Sequence, residues 1–137
     1  PLPRTYPDGM NVEVFSKEIL DEVHNNAKKP SEREHVTLFL VFKPDKYKIF
    51  RVDYEKDVSK YRFNLDYKLD YELLKTIFEK LYSTNHIFTM EDAIKLLEDN
   101  SSIFQINSEI EPYQGMLKSF VEDEAKGFTK SENFFKK

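Results

Sequence analysis

Three groups of side chains have the types and spacing to do chemistry. The first is Arg62, Asp66 and Asp70, in the stretch YRFNLDYKLD. Carboxylates are the ligands of hard divalent cations such as Mg²⁺, which keep several waters and need one or two Asp from the protein. An Asp leaving an extended segment just before a helix is also where α/β proteins place ligands. The same placement suits a plainer role: Asp66 would cap the helix, and Asp70 would favour its positive end. The second group is Arg33, Glu34 and His35, with Thr37 beside them. Arg grips a carboxylate or phosphate with a bidentate fork, and His moves a proton near neutral pH. Charge on an exposed first helical turn is the alternative. The third group is Asp8 and Gly9, followed by Glu13 within the valine-rich NVEVF. A charge in such a strand needs a partner if it is buried and none at an exposed edge.

Other chemistries find no footing. The chain has no Cys, so thiolate chemistry and disulfides are absent. Its three His form no H-E-x-x-H and no zinc spacing, and His24 and His86 read as surface residues. Ser31 lies near His35 without a nucleophile elbow. The three glycines, Gly9, Gly115 and Gly127, cannot build a glycine-rich phosphate loop. A nucleotide's phosphate cradle is therefore not expected within these residues.

The elements that must position these groups follow from periodicity. Tyr6 to Gly9 reads as a turn, and residues 11–15 and 47–52 as strands. Residues 61–65 read as a further strand, with Tyr61, Phe63 and Leu65 on one face and Arg62 and Asn64 on the other. Ser16 would cap a helix over residues 16–28. Pro30 would end that region, and Ser31-Glu32-Arg33-Glu34 reads as a capping box opening a helix through HVTLFLVF. That run could also be a buried strand, but the capping box favours the helix. Leu69, Leu73, Leu74, Ile77, Phe78 and Leu81 form the clearest helical stripe, over residues 68–82. Thr89 would cap a helix to residue 98, with Asp92 as its box partner, and Asn100 suits a left-handed stop. Residues 101–106 read as a short helix or turn, and residues 111–120 as helical, with fraying from Val121.

At 137 residues the chain is one domain or a large piece of one. Its 12 Phe and 8 Tyr compensate a modest hydrophobic fraction of 39%, so a folded core is expected. A net charge of −4 argues against a nucleic-acid module. No apolar run approaches the ~20 residues that span a bilayer. A cytoplasmic protein without a membrane partner is the simplest expectation.

The segments TYPDGMNVEVFS, SEREHVTLFL and YRFNLDYKLDYELLKTIFEKLY, in that order, resemble the C-terminal half of spore-coat polysaccharide cytidylyltransferase-like proteins. These are relatives of CMP-sialic acid and CMP-Kdo synthetases. The resemblance runs from about Arg4 to Asn107, and Tyr67 stands where the family has Thr. It implies an α/β fold: a partial nucleotide-diphospho-sugar transferase (Rossmann-like) domain, with a small mixed sheet and flanking helices. Residues 1–110 would be the C-terminal half of that domain, and residues 111–137 a C-terminal helix and polar tail.

The implied reaction is CTP plus a sugar or sugar acid giving a CMP-sugar and pyrophosphate with Mg²⁺, for cell-surface or spore-coat polysaccharide. Asp66 aligns with the relatives' metal-binding Asp, and Asp70 would join it. Arg33 and His35 would be catalytic. Asp8, Gly9, Glu13, Arg33, His35, Thr37 and Arg62 would line the substrate. The family's nucleotide-binding loop lies in its N-terminal half, so the expectation is that this polypeptide alone does not turn over CTP. Open sheet edges would then favour a homo-oligomer, or pairing with the missing half. The competing expectation is a non-catalytic interaction module that keeps the half-fold for assembly, with Phe128, Phe134 and Phe135 as its apolar tail.

Overall fold

The computed structural model describes residues 4–129. The opening Pro1-Leu2-Pro3 and the tail positions Phe134 and Phe135 lie outside the described residues. The chain divides into two compact units. Among the described residues, one comprises residues 4–12 and 53–112, and the other residues 13–52 and 113–129.

The first unit packs helix α4 (Lys68–Leu81), α5 (Met90–Asp99) and α6 (Ser101–Phe104) on an extended segment that ends in Tyr61 and Phe63. The stripe on α4 explains its burial. Leu73 and Ile77 are closed off, and Leu74 and Leu81 are partly covered. Leu69 and Phe78, at the margins of the expected stripe, remain exposed. Truncating a buried Leu such as Leu73 to Ala costs about 2–5 kcal/mol. Thr89 caps α5 as its sequence suggests: Thr89 Oγ1 accepts from Asp92 N at 3.3 Å, and Asp92 Oδ2 accepts from Thr89 N at 2.9 Å. Asn100 does not adopt the left-handed stop expected of it; its φ is −137°. The chain goes straight on into α6, whose first turn begins at once.

The second unit holds α1 (Lys17–Asn26), α2 (Pro30–Glu34), α3 (Leu38–Val41) and α7 (Gln114–Ala125). Ser16 caps α1, its Oγ accepting from Ile19 N at 3.4 Å. Pro30 opens α2 rather than ending the region before it. Proline suits a first helical position because its missing N–H would have had no helical partner. Ser31 is therefore inside the helix, and Glu32 does the capping, its Oε2 accepting from Lys28 N and Lys29 N at 3.0 and 3.2 Å. Of the run HVTLFLVF, Leu38–Val41 is helical, and residues 35–37 separate α2 from α3. Val23, Ala27 and Phe39 form one buried cluster, and Leu38 and Phe120 another. Helix α7 extends past the expected fraying point at Val121. It stops at Gly127, with φ +80°, where Gly127 N donates to Glu124 O at 2.9 Å and Phe128 N to Asp123 O at 3.0 Å. A left-handed glycine with these paired bonds is an efficient helix stop.

The expected mixed sheet is not present among the described residues. The extended segments make one isolated parallel bridge, Asp8 with Arg62. Residues 11–15 and 47–52 carry strand-forming residues, yet Val14 is 93% exposed and Phe50 78%. A strand is held by ladder hydrogen bonds and a covered face, and these segments have neither. Residues 11–15 run through a point where the chain passes from one unit to the other, and residues 47–52 end at such a point. No helix among the described residues is long and apolar enough to cross a membrane.

Candidate active site around Arg62

The site grows from the bridge. Asp8 N donates to Tyr61 O at 2.9 Å and Phe63 N to Asp8 O at 2.7 Å, which lays residues 4–12 along the segment carrying Arg62. The chain can turn there because of Gly9. Its φ is +91°, and a Cβ at this position would stand 2.7 Å from Asn64 N and 2.8 Å from Phe63 C. Backbone atoms cannot yield as a side-chain tip can, so glycine is required by both conformation and space. Met10 N donates to Pro7 O at 3.2 Å, closing the turn one residue later than the sequence suggests.

Arg62 is buried at the centre of three carboxylates. Its Nε and Nη2 donate to Asp70 Oδ1 and Oδ2, each at 2.9 Å, a bidentate fork. Nη2 also donates to Asp66 Oδ2 at 2.9 Å, and Nη1 to Asp8 Oδ2 at 3.2 Å. Arg4 pairs with the other oxygen of Asp8. The guanidinium lies 5.6 Å from the Tyr67 ring centroid.

Asp70 is 0% exposed and saturated with donors. Besides the fork, its Oδ1 accepts from Asn107 Nδ2 at 2.9 Å, and its Oδ2 from the backbone N–H groups of Asp66 and Tyr67 at 3.1 Å. Burial raises its pKa, but Arg62, Asn107 and the two amides outweigh burial and hold it at about 2. The bonds to Asp70, foremost, raise the Arg62 pKa further above its already high value. Asp70 is thus the reach-back cap of α4 as well as the counter-ion of Arg62. Tyr67, not Asp66, occupies the N-cap position.

Asp66 stands apart within this group. Its backbone N–H is pinned by Asp70, and one carboxylate oxygen is held by Arg62, yet its side chain is 63% exposed. The arrangement is a frame of charged groups that leaves the Asp66 carboxylate facing solvent, with one of its oxygens held by Arg62. Asp66 has the chemistry and access for a hydrated Mg²⁺, whereas both oxygens of Asp70 are already committed to donors. No group of three or more metal-ligating side chains converges among the described residues. The cation already at the centre of the three carboxylates is Arg62.

The structure brings Asp8, Gly9, Arg62, Asp66 and Asp70 together in one unit. Glu13, Arg33, His35 and Thr37 belong to the other. There Glu13 is exposed. Arg33 is exposed too, and its Nη1 donates to His24 O at 3.0 Å. His35 is half-buried, with Nε2 3.2 Å from Ser119 Oγ, which in turn donates to Glu34 Oε2 at 3.3 Å. Thr37 is half-buried at the start of α3. Sequence reasoning missed Asn107, which also donates to Arg62 O at 3.1 Å and ties the site to the segment after α6. It missed Arg4 as well. Neither carries a local signal, because a lone Asn in a polar stretch and a lone Arg near a terminus are ordinary surface residues.

No family model matches the chain, and no curated protein does. A solved structure, that of a cytidylyltransferase from Leptospira borgpetersenii serovar Hardjo-bovis (strain JB197), is 33% identical, with a TM-score of 0.68. The match covers 74% of this chain and 42% of that one. The fold is cytidylyltransferase-like. The chain spans less than half the length of that structure.

Proposed function

We propose that this chain supplies the metal side and the acceptor-sugar side of a sugar cytidylyltransferase. The observation that carries the reading is the outward carboxylate of Asp66, fixed on the Arg62–Asp70 frame, in a chain similar to a cytidylyltransferase. In the proposed reaction an oxygen of a sugar or sugar acid bonds to the α-phosphorus of CTP. The bond from that phosphorus to the pyrophosphate oxygen breaks, and the acceptor hydroxyl loses its proton. Mg²⁺ would be held at Asp66, where its charge offsets that of the triphosphate.

The frame narrows the roles of its members. Asp70 and Arg62 act as positioning residues, since their polar atoms are spent on each other, Asn107 and the backbone. Asp8 and Gly9 fix the turn that closes the frame. Arg33, His35, Glu13 and Thr37 serve the acceptor, with Arg33 the group suited to a sugar-acid carboxylate. The nucleotide's phosphate groups are cradled by residues outside 1–137, consistent with three glycines that form no phosphate loop. That cradle comes from a nucleotide-binding half; the chain pairs with that half or forms a homo-oligomer, in the cytoplasm, and the product feeds cell-surface or spore-coat polysaccharide.

The test is CTP-dependent pyrophosphate release in the intact polypeptide that carries this sequence, with sugar acids as acceptors. Asp66→Ala is expected to reduce turnover by about tenfold to a hundredfold, the loss usual for groups around a metal. Unchanged turnover in a folded Asp66→Ala variant would remove Asp66 from the metal site.

A further inference from the structure

A second concentration of charge lies in the other unit, with the opposite sign. A cleft of about 460 Å³ is lined by Lys28, Lys29, Lys43, Lys46, Glu32 and the rings of Phe39 and Phe128, with Asn26 at its edge. Four Lys and one Glu line it, in a chain whose net charge is −4.

Local structure builds this cleft deliberately. Glu32 caps α2 by taking the backbone N–H groups of Lys28 and Lys29, which fixes where both side chains start. Ser31 N and Oγ donate to Asp123 Oδ1 and Oδ2 at 2.9 and 2.5 Å, clamping α7 onto α2. The left-handed turn at Gly127 then brings Phe128 into the wall. Lys43 pairs with Glu32 at 3.5 Å and lies 3.2 Å from the Phe39 ring centroid. Lys46 is paired with Glu22. Lys28 and Lys29 have no carboxylate partner among the described residues. Their Nζ atoms reach backbone carbonyls of Asn25 and Thr129 at 3.4 Å. Glu32 and Glu22 together offset two of the four charges, so two ammonium groups stay uncompensated beside an apolar floor.

We propose that this cleft binds a small polyanion of the phosphate class: free pyrophosphate, or the phosphate of a sugar or nucleoside ester. Lysines without a carboxylate partner that line one concavity favour a ligand with two or more negative charges. Lys suits phosphate as a point charge. Phe39 and Phe128 supply the apolar contact that most small-molecule sites combine with a few polar groups.

The inference is independent of the cytidylyltransferase reading and is tested without metal. Pyrophosphate and glucose 1-phosphate are titrated calorimetrically into the chain in EDTA at low salt. Saturable one-site binding is expected, weakened about tenfold or more by Lys28→Gln with Lys29→Gln, because each replaces a charge-assisted bond by a neutral one. Lys75→Gln with Lys80→Gln, on α4, should bind like the native chain. Tighter binding of glucose 1-phosphate identifies an ester ligand, and tighter pyrophosphate the free anion; either supports the site. Absence of binding, equal binding by the Lys28/Lys29 variant, or an equal loss in the α4 control overturns it. Should the variant not fold, dimethyl-lysine resonances of the native chain decide: shifts confined to lysines outside the cleft overturn the proposal.

Discussion

Asp70 and Asp123 are both closed off from solvent, and they are held in opposite ways. Asp70 has a cation, Arg62, in a bidentate fork, with Asn107 and two backbone amides completing its shell. Asp123 accepts from Ser31 N and Ser31 Oγ, and no cation among the described residues pairs with it. A buried ion pair costs desolvation on both sides, and a hydrophobic replacement often does as well for stability. What it provides is geometry. The Arg62 fork fixes the bridge segment, the start of α4 and the Asp66 backbone at once. The Asp123 clamp fastens one helix to another and orients no further carboxylate. The arrangement built on a cation is therefore the one suited to chemistry, and the one built on Ser31 donors to holding a wall in place.

The largest expected effect comes from removing the cation. Arg62→Met leaves Asp70 buried without its counter-ion and should destabilise the chain by about 3–5 kcal/mol. Chemical denaturation measures it, and a loss below about 1 kcal/mol would mean that Asn107 and the amides suffice.

The acid limb of stability comes next. The folded pKa of Asp70, about 2, lies below its ordinary 3.8. A depressed carboxylate stabilises the fold above the unfolded value and loses that contribution as pH falls through the folded one. Stability should drop by about 2 kcal/mol between roughly pH 5 and pH 2 on account of this group. Asp70→Asn should flatten that limb, and a limb of unchanged slope would show that other carboxylates dominate.

Asp123→Asn should cost less, about 1–3 kcal/mol, because one Ser31 donor loses its acceptor, the other can keep the amide oxygen, and no charge is stranded. Its melting should change with no effect on the Arg62 cluster. A loss larger than that of Arg62→Met would reverse the comparison.

The two regions were unequally legible from sequence. Helices set by local signals read directly: Ser16 before α1, the stripe of α4, and Thr89 with Asp92 before α5. Arg62, Asp66 and Asp70 were visible as a group because four-residue spacing across a helix start brings them together. Which of them faces water was not visible, since it depends on Asn107, 37 residues beyond Asp70 in the chain. The Ser31–Asp123 clamp spans 92 residues, and Ser31 looked like a cap because Ser with Glu three residues on has that local meaning. Pro30 at the first helical position displaced it. The strands failed for a related reason. Residues 11–15 and 47–52 have the right alternation, but pairing is settled by distant partners, and alternation alone does not provide one.

The central claim is that the Arg62–Asp70 frame holds Asp66 outward as the carboxylate for a divalent cation. The direct measurement is a Mn²⁺ titration of the chain followed by electron paramagnetic resonance, with Mn²⁺ standing in for Mg²⁺. Asp66→Asn removes an exposed charge, so its stability should stay within about 0.5 kcal/mol of native. Its Mn²⁺ affinity should nonetheless fall about tenfold or more. Equal Mn²⁺ binding by the native chain and a folded Asp66→Asn variant would contradict the account.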